Sequence, residues 1–466
     1  MDTKVIINEL ETINGQFYPG QMSSRLFMAT EDVKEKYRIE FHERFHYLQH
    51  IFTPYGHLKW GVHRTFTFEI LTIWNEMTSK FDKPKKIPVF EYINDNDILS
   101  LSILSAIYFK IIAKKYSEIS EGISLSTDDL IRHEIDVENL LPKINVDKQD
   151  YTLNGLDIFE SFAKYEEAIL AYCIDGTNIN ETINPEKLAP KYYIPLFYFI
   201  HKLGAKRLVE FPMACELSMA FSNLPIANDS EKLKNNHPSW RFIKIVDYLA
   251  ENEVPYNIYD NDSFWEYTSC ILKGCGFEDW DSVWNSAEKY ARSCNLSISS
   301  EMLDAIAFKK ANPWCLSYPM VFPDFFFSNE FNRFYPLFII TDNEVFYNIQ
   351  NINYDELMLE NEIQSLALQI IGEKSKYNIY PNTLQCADSY FGIKSCKYFK
   401  NGICDGHVSQ TSTLPNIKLD ENDNILEGCM LQIFLDIIGV SLNNIEIGKT
   451  NSHYTSKEII EAINKL

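Results

Sequence analysis

From residue 41 to residue 52 apolar side chains recur at intervals of four, three and four, as Phe41, Phe45, Leu48 and Phe52. An α-helix gathers these four on one narrow arc, whereas a strand scatters them over both of its faces. The segment reads Glu40-Phe-His-Glu-Arg-Phe-His-Tyr-Leu-Gln-His50, so a helix here also fixes where the polar residues go. His42 and His46 fall about 40° apart, one turn from each other. They lie roughly 110° from the centre of the apolar arc, and Glu40, Arg44 and Tyr47 fill much of the remainder. The expected layout is one face in the core, one lining a cleft and one in solvent. Thr53-Pro54-Tyr55-Gly56 predicts the end of the helix.

His42-Glu43-Arg44-Phe45-His46 fits the pattern H-E-x-x-H. Two imidazoles one turn apart can reach a single tetrahedral zinc ion, and the carboxylate beside them is placed to hydrogen-bond a water on that ion. Zinc lowers the pKa of such a water to about 7, and Glu43 can take its proton as it attacks a carbonyl. Two ordinary helix-surface histidines would give the same pattern. His50 lies one more turn along and is too far from His42 on a straight helix to share its metal. A supporting or surface place is expected for it.

The stretch from His42 to Gln49 resembles the active-site helix of zincin metallopeptidases, particularly bacterial members with Gln three residues after the second His. It is not the metzincin form, which has Gly where Gln49 stands and a third His where Phe52 stands. The gluzincin branch takes its third ligand from a Glu on a later helix. A second segment, Gly155-Leu-Asp-Ile-Phe-Glu160-Ser-Phe-Ala-Lys-Tyr-Glu-Glu167, resembles the E-G-x-A-x-Y stretch of such families, with Ser161 in place of Gly. The resemblance implies a mainly α, zincin-like metallopeptidase domain with Zn2+ as cofactor. It implies His42, His46 and Glu160 as metal ligands and Glu43 as the catalytic base.

The residues of the second segment can be read without the resemblance. Ile158, Phe162, Tyr165, Ile169 and Tyr172 form a helical stripe that leaves Glu160, Ala163 and Glu167 together on another face. The small Ala163 would let this helix approach the histidine helix closely. Asp157 as N-cap with Glu160 at the third helical position accounts for Glu160 without a metal. Glu167, Glu166, Glu216 and Glu69 are alternative ligands. Tyr165, His63 and His237 are candidates to donate to a developing oxyanion.

The chain has 466 residues, 45% hydrophobic and 23% charged, which is the composition of a globular protein. Lys and Arg number 43 against 65 Asp and Glu, a net charge of −22. Such a surface repels nucleic-acid phosphates and anionic lipid, and Lys83, Lys85 and Lys86 make one short basic cluster. The longest apolar stretch, Tyr192 to Ile200, contains Pro195 and falls far short of the roughly 20 residues a membrane span needs. The first residues lack the basic-then-apolar order of a secretory signal. The expectation is a cytoplasmic protein that acts on a peptide or protein, with neither nucleic acid nor membrane as partner.

Residues 1–312 read mostly as helices and form the expected zincin-like domain, with Phe66, Ile70, Ile73 and Met77 as a further helical stripe. Asn312-Pro313 ends the last of these patterns, and 313–466 reads as a smaller C-terminal α+β region. It holds a hairpin from Phe338 to Tyr347, a helix from Asp355 to Ile371 stopping at Gly372, and a helix near Ile425 to Ile438. Cys386, Cys396, Cys404 and His407 can close a structural zinc site, or be reduced and partly buried side chains that need no metal. Cys173, Cys215, Cys270, Cys275, Cys294, Cys315 and Cys429 are expected as small core residues. The function expected overall is zinc-dependent peptide-bond hydrolysis. The alternatives are a non-catalytic zincin scaffold that binds a partner, and a zinc hydrolase of a non-peptide amide.

Overall fold

The computed structural model describes residues 15–18, 23–26, 32–61, 85–86, 140–223, 230–252, 260–293, 299–320, 328–336, 338–341, 345–347, 418–419, 425–427 and 445–446. These residues are mostly helical. The chain divides into two compact units: Met1–Gly61 with Asn96–Leu99 and Glu138–Leu357, and Val62–Asp95 with Ser100–Val137 and Met358–Leu466. The boundary expected at 312/313 runs inside the first unit.

The first unit carries β1 (Gly15–Tyr18), β2 (Ser23–Leu26), α1 (Val33–Ile51), β3 (Lys143–Val146), β4 (Gln149–Thr152), α2 (Gly155–Asp175), α3 (Ile194–Leu203), α4 (Phe211–Ser218), α5 (Pro238–Glu251), α6 (Asn261–Gly274), α7 (Trp280–Ser293), α8 (Ser299–Ala311), β5 (Phe338–Thr341) and β6 (Val345–Tyr347). One sheet has the order β1-β2-β5-β6. β1 and β2 are antiparallel with Gly15 opposite Leu26, β2 and β5 are parallel with Ser23 beside Phe338, and β5 and β6 are antiparallel with Phe338 opposite Tyr347. The hairpin expected over 338–347 is therefore present, and it extends a pair of strands that precedes α1 in a region expected to be helical. β3 and β4 form a second hairpin, whose tip residues Asp147 and Lys148 have φ 51° and 67°, the left-handed turn that suits the twist of two-residue hairpins.

In the second unit Lys85–Lys86 pairs in parallel with Ile445–Glu446, and Lys418–Leu419 pairs with Ile425–Glu427. Ile425–Glu427 is thus a strand where the sequence predicts the start of a helix. The expected helix over 355–371, the Phe66 to Met77 stripe and the Cys386, Cys396, Cys404 and His407 cluster lie outside the described residues.

Asp32 caps α1 by accepting a hydrogen bond from Lys34 N at 2.9 Å. The first two turns of α1 face solvent at least in part, and from Phe41 to Ile51 every residue is buried. Phe41, Phe45, Leu48 and Phe52 are in the core as the periodicity requires. The solvent face expected at Arg44 and Tyr47 does not exist, because α8 and residues 328–336 cover it. Tyr47 donates to Glu301 at 2.9 Å, and Arg44 donates to Phe334 O at 3.3 Å while lying 4.6 Å from the Tyr335 ring centroid. Phe52 packs against Phe308, Phe331 and Phe334. After Phe52 N bonds to Leu48 O, the chain turns through Thr53 and becomes helical again over 54–61. This second run passes so close to α1 that a Cβ on Gly56 would stand 2.2 Å from His50 O, so only glycine fits.

α2 follows directly from the β3–β4 hairpin, tied by Leu153 N to Pro142 O at 2.9 Å. Asn154 is its N-cap, in a reciprocal capping box with Asp157. Asp157 is therefore the third helical residue and not the cap. Glu160 sits in the second turn, with no capping task. Ile158, Phe162 and Tyr165 are buried as expected, and the stripe ends early, with Ile169 half-buried and Tyr172 60% exposed. Phe45 and Phe162 meet edge to face at 4.9 Å where α1 and α2 pack together, and Ala163 is fully enclosed. Asn312 N bonds to Phe308 O where α8 ends. Cys215, Cys275 and Cys315 are buried as expected, but Cys173 and Cys270 are exposed.

His57 lies in the run that crosses the end of α1. Its Nε2 donates to Ile51 O at 2.7 Å, and burial pushes its pKa down to about 4. An unfolded histidine binds a proton below about 6.5, so stability is constant above that pH and falls as pH drops towards 4, by about 3 kcal/mol in all. His57→Gln keeps a donor for Ile51 O and removes the titration. Urea unfolding of this variant between pH 6.5 and 4 should lose about 3 kcal/mol less than wild type. Equal acid slopes in the two proteins would contradict the burial of a neutral His57.

Candidate metal centre

α1 brings His42 and His46 to one side of the α1–α2 contact, and α2 brings Glu160 to meet them. The two Nε2 atoms are 3.1 Å apart, and each lies 3.3 Å from Glu160 Oε2. One ligating atom from each of the three residues falls within 4.8 Å of the other two. The outer nitrogens are occupied. His42 Nδ1 is 3.1 Å from Glu167 Oε2, whose other oxygen is 2.7 Å from Lys164 Nζ. His46 Nδ1 is 2.8 Å from Gln49 Oε1, and Gln49 is fixed in turn by donating to Phe159 O at 3.0 Å. With each Nδ1–H donating outwards, both Nε2 lone pairs aim at the same point as the carboxylate oxygen. Three such donors repel one another unless a cation, either a proton or a metal, stands among them.

The charges in the cluster follow from the same contacts. Burial disfavours a charged His42, but hydrogen bonds to Glu160 and Glu167 outweigh it and lift its pKa to about 9. Burial likewise opposes ionisation of Glu160, yet the two imidazoles hold it well below the usual carboxylate range. Glu167 is held below its usual value chiefly by Lys164 and His42 against the cost of burial. Glu43 differs: burial raises it more than His42 and His46 lower it. It is 6% exposed, and its Oε2 has no hydrogen-bond partner among the described residues. A buried carboxylate oxygen left without a partner is costly, and such groups mark places where a ligand or water belongs. Lys191 and Tyr192 complete the surroundings from the turn Pro190–Tyr192. Lys191 Nζ is 2.7 Å from Glu160 Oε1, and the Tyr192 ring lies 6.0 Å from that of His42. Burial and the charge of Glu160 push the Tyr192 phenol up to about 12, so it stays a neutral donor.

Two neutral imidazoles and one carboxylate suit zinc, and they leave a fourth tetrahedral position for water or substrate. Of the alternative ligands, Glu167 supports His42 from behind, Glu216 is paired with Lys309, and Glu166 is buried on α2. Among the candidate oxyanion donors, Tyr165 packs against Phe211, and His237 caps α5 by accepting from Ser239 N. His50 Nδ1 donates to His46 O at 2.8 Å, a supporting contact within α1. Glu69 and His63 lie outside the described residues. Sequence reasoning missed Lys164, Lys191 and Tyr192. Lys164 was legible in principle, three residues before Glu167 on one helix; the other two sit in a single turn whose direction no periodicity reports. Among the described residues no helix is long and apolar enough to cross a membrane.

Comparison with protein-family models, curated proteins and solved structures gives no match to this chain.

In the metal-free protein His42 should titrate with a midpoint about 9, read from its ring resonances by NMR. Its contribution to stability is fully present below pH 6.5 and lost as pH rises towards that midpoint. Glu167→Gln removes one of the two carboxylate partners and should move the midpoint down. A His42 that titrates at the ordinary histidine value in wild type would contradict the contact geometry.

Proposed function

We propose that this chain is a zinc-dependent hydrolase of the zincin type that cleaves peptide bonds. The observation that carries the reading is the convergence of His42, His46 and Glu160 on one point, with the buried Glu43 next to His42 on the same helix and one of its oxygens without a hydrogen-bond partner among the described residues. His42, His46 and Glu160 would hold the zinc, whose chemistry when bound is to polarise a carbonyl and to acidify water. The remaining work falls to the chain. Gln49 and Glu167 hold the rings with Nε2 inwards. Glu43 accepts a proton on its carboxylate as water adds to the carbonyl carbon, and returns that proton to the amine nitrogen as the C–N bond breaks. Its raised pKa suits a group that must hold the proton between these two steps. The enclosure of α1 excludes bulk water from the base, so the proton passes between defined partners.

A net charge of −22 supports a substrate that is a peptide or protein and not a nucleic acid, and supports a soluble, cytoplasmic setting over an anionic membrane surface. The Cys386, Cys396, Cys404 and His407 cluster would add a second, structural zinc.

Metal analysis of the purified chain should give one zinc per chain for the His42 centre alone, and two if the cysteine cluster also binds. On a peptide library Glu43→Gln should keep the His42-site metal and lose about 100- to 10,000-fold in cleavage. His46→Ala should lose that metal. Zinc bound without Glu43-dependent cleavage would instead indicate a scaffold that binds a partner. Turnover of a small amide but of no peptide would indicate a different substrate class.

A further inference from the structure

The two oxygens of Glu160 have different partners. Oε2 faces both imidazoles at 3.3 Å, whereas Oε1 lies 2.7 Å from the ammonium of Lys191. That ammonium also lies 4.8 Å from the centroid of the Tyr192 ring, and the Lys191 side chain is 34% exposed. A fixed positive charge one carboxylate away from a cation site weakens the site by repulsion, so metal affinity does not explain it. A carboxylate with both oxygens available can chelate a metal ion through the pair, raising the coordination number and crowding the position that water needs.

We propose that Lys191 is a positioning residue that occupies Oε1 of Glu160, restricts it to one-oxygen ligation and so keeps the fourth position of the metal open. This assignment rests on the metal-centre reading above. It has a sign that an ordinary supporting contact does not share. Losing a group that merely steadies a ligand lowers metal affinity, by about 10- to 100-fold. Losing Lys191 removes a repulsion and frees a second ligating oxygen, so affinity should hold or tighten while turnover falls.

Cobalt(II) tests this directly, because four-coordinate Co2+ absorbs visible light far more strongly than five- or six-coordinate Co2+. In the full chain loaded with Co2+, Lys191→Met should weaken and shift the visible bands. Chelator competition should give a metal affinity equal to wild type or tighter by up to about tenfold, and kcat should fall by about tenfold or more with KM little changed. Lys191→Gln supplies a neutral donor to the same oxygen and should retain the wild-type spectrum, so it also serves if the Met variant fails to fold. An unchanged spectrum in Lys191→Met, an affinity loss of about tenfold or more in that variant, or a weakened spectrum in Lys191→Gln would each overturn the assignment. Wild type that takes up no Co2+ would refute the metal centre itself, an outcome distinct from the other three.

Discussion

Enclosing the second half of α1 is costly, because its circumference carries His42, Glu43, Arg44, His46, Gln49 and His50 as well as Phe41, Phe45 and Leu48. Each buried polar group needs a partner, and the elements around α1 are placed where they supply one. α2 brings Glu160, Glu167 and the Phe159 carbonyl; α8 brings Glu301 to Tyr47; residues 328–336 bring a carbonyl and an aromatic ring to Arg44. Some buried polar atoms of this helix have no hydrogen-bond partner among the described residues, and one of them is an oxygen of Glu43, the residue next to His42. A core built mainly for stability would have replaced these groups by apolar ones of similar size.

The electrostatics repeat one device. Glu160 is divided between the imidazoles and Lys191, and Glu167 between His42 and Lys164. Each carboxylate therefore keeps one oxygen towards the histidines and has the other neutralised by an ammonium. Without metal, a proton on His42 balances the inner oxygens. The cluster is thus arranged for a positive charge at its centre.

Much of this could be read from residue spacing. The four-three-four recurrence of Phe41, Phe45, Leu48 and Phe52 fixed α1 and with it the angle between His42 and His46. The i to i+7 relation of Glu160 and Glu167 put both on one face of α2. What failed was information carried by distant chain. Arg44 and Tyr47 looked solvent-facing because their partners, Phe334 and Glu301, lie 290 and 254 residues away. The alternative that made Asp157 the cap of α2 fails because Asn154, an equally good cap one turn earlier, takes that place with Asp157 as its capping-box partner. β2 escaped notice because Ser-Ser-Arg-Leu has no apolar alternation, and its pairing with β5 comes from more than 300 residues on.

Gly56 holds a different kind of constraint. The helical run at 54–61 and the last turn of α1 touch main chain to main chain at His50, whose ring in turn engages the His46 carbonyl. The spacing there is set by atoms that every residue possesses, so no exchange of neighbouring side chains can compensate for an added methyl group. In the aromatic packing one ring can be traded for another of similar bulk at modest cost. Position 56 has no such latitude, and the limit there falls on a residue with no functional group at all.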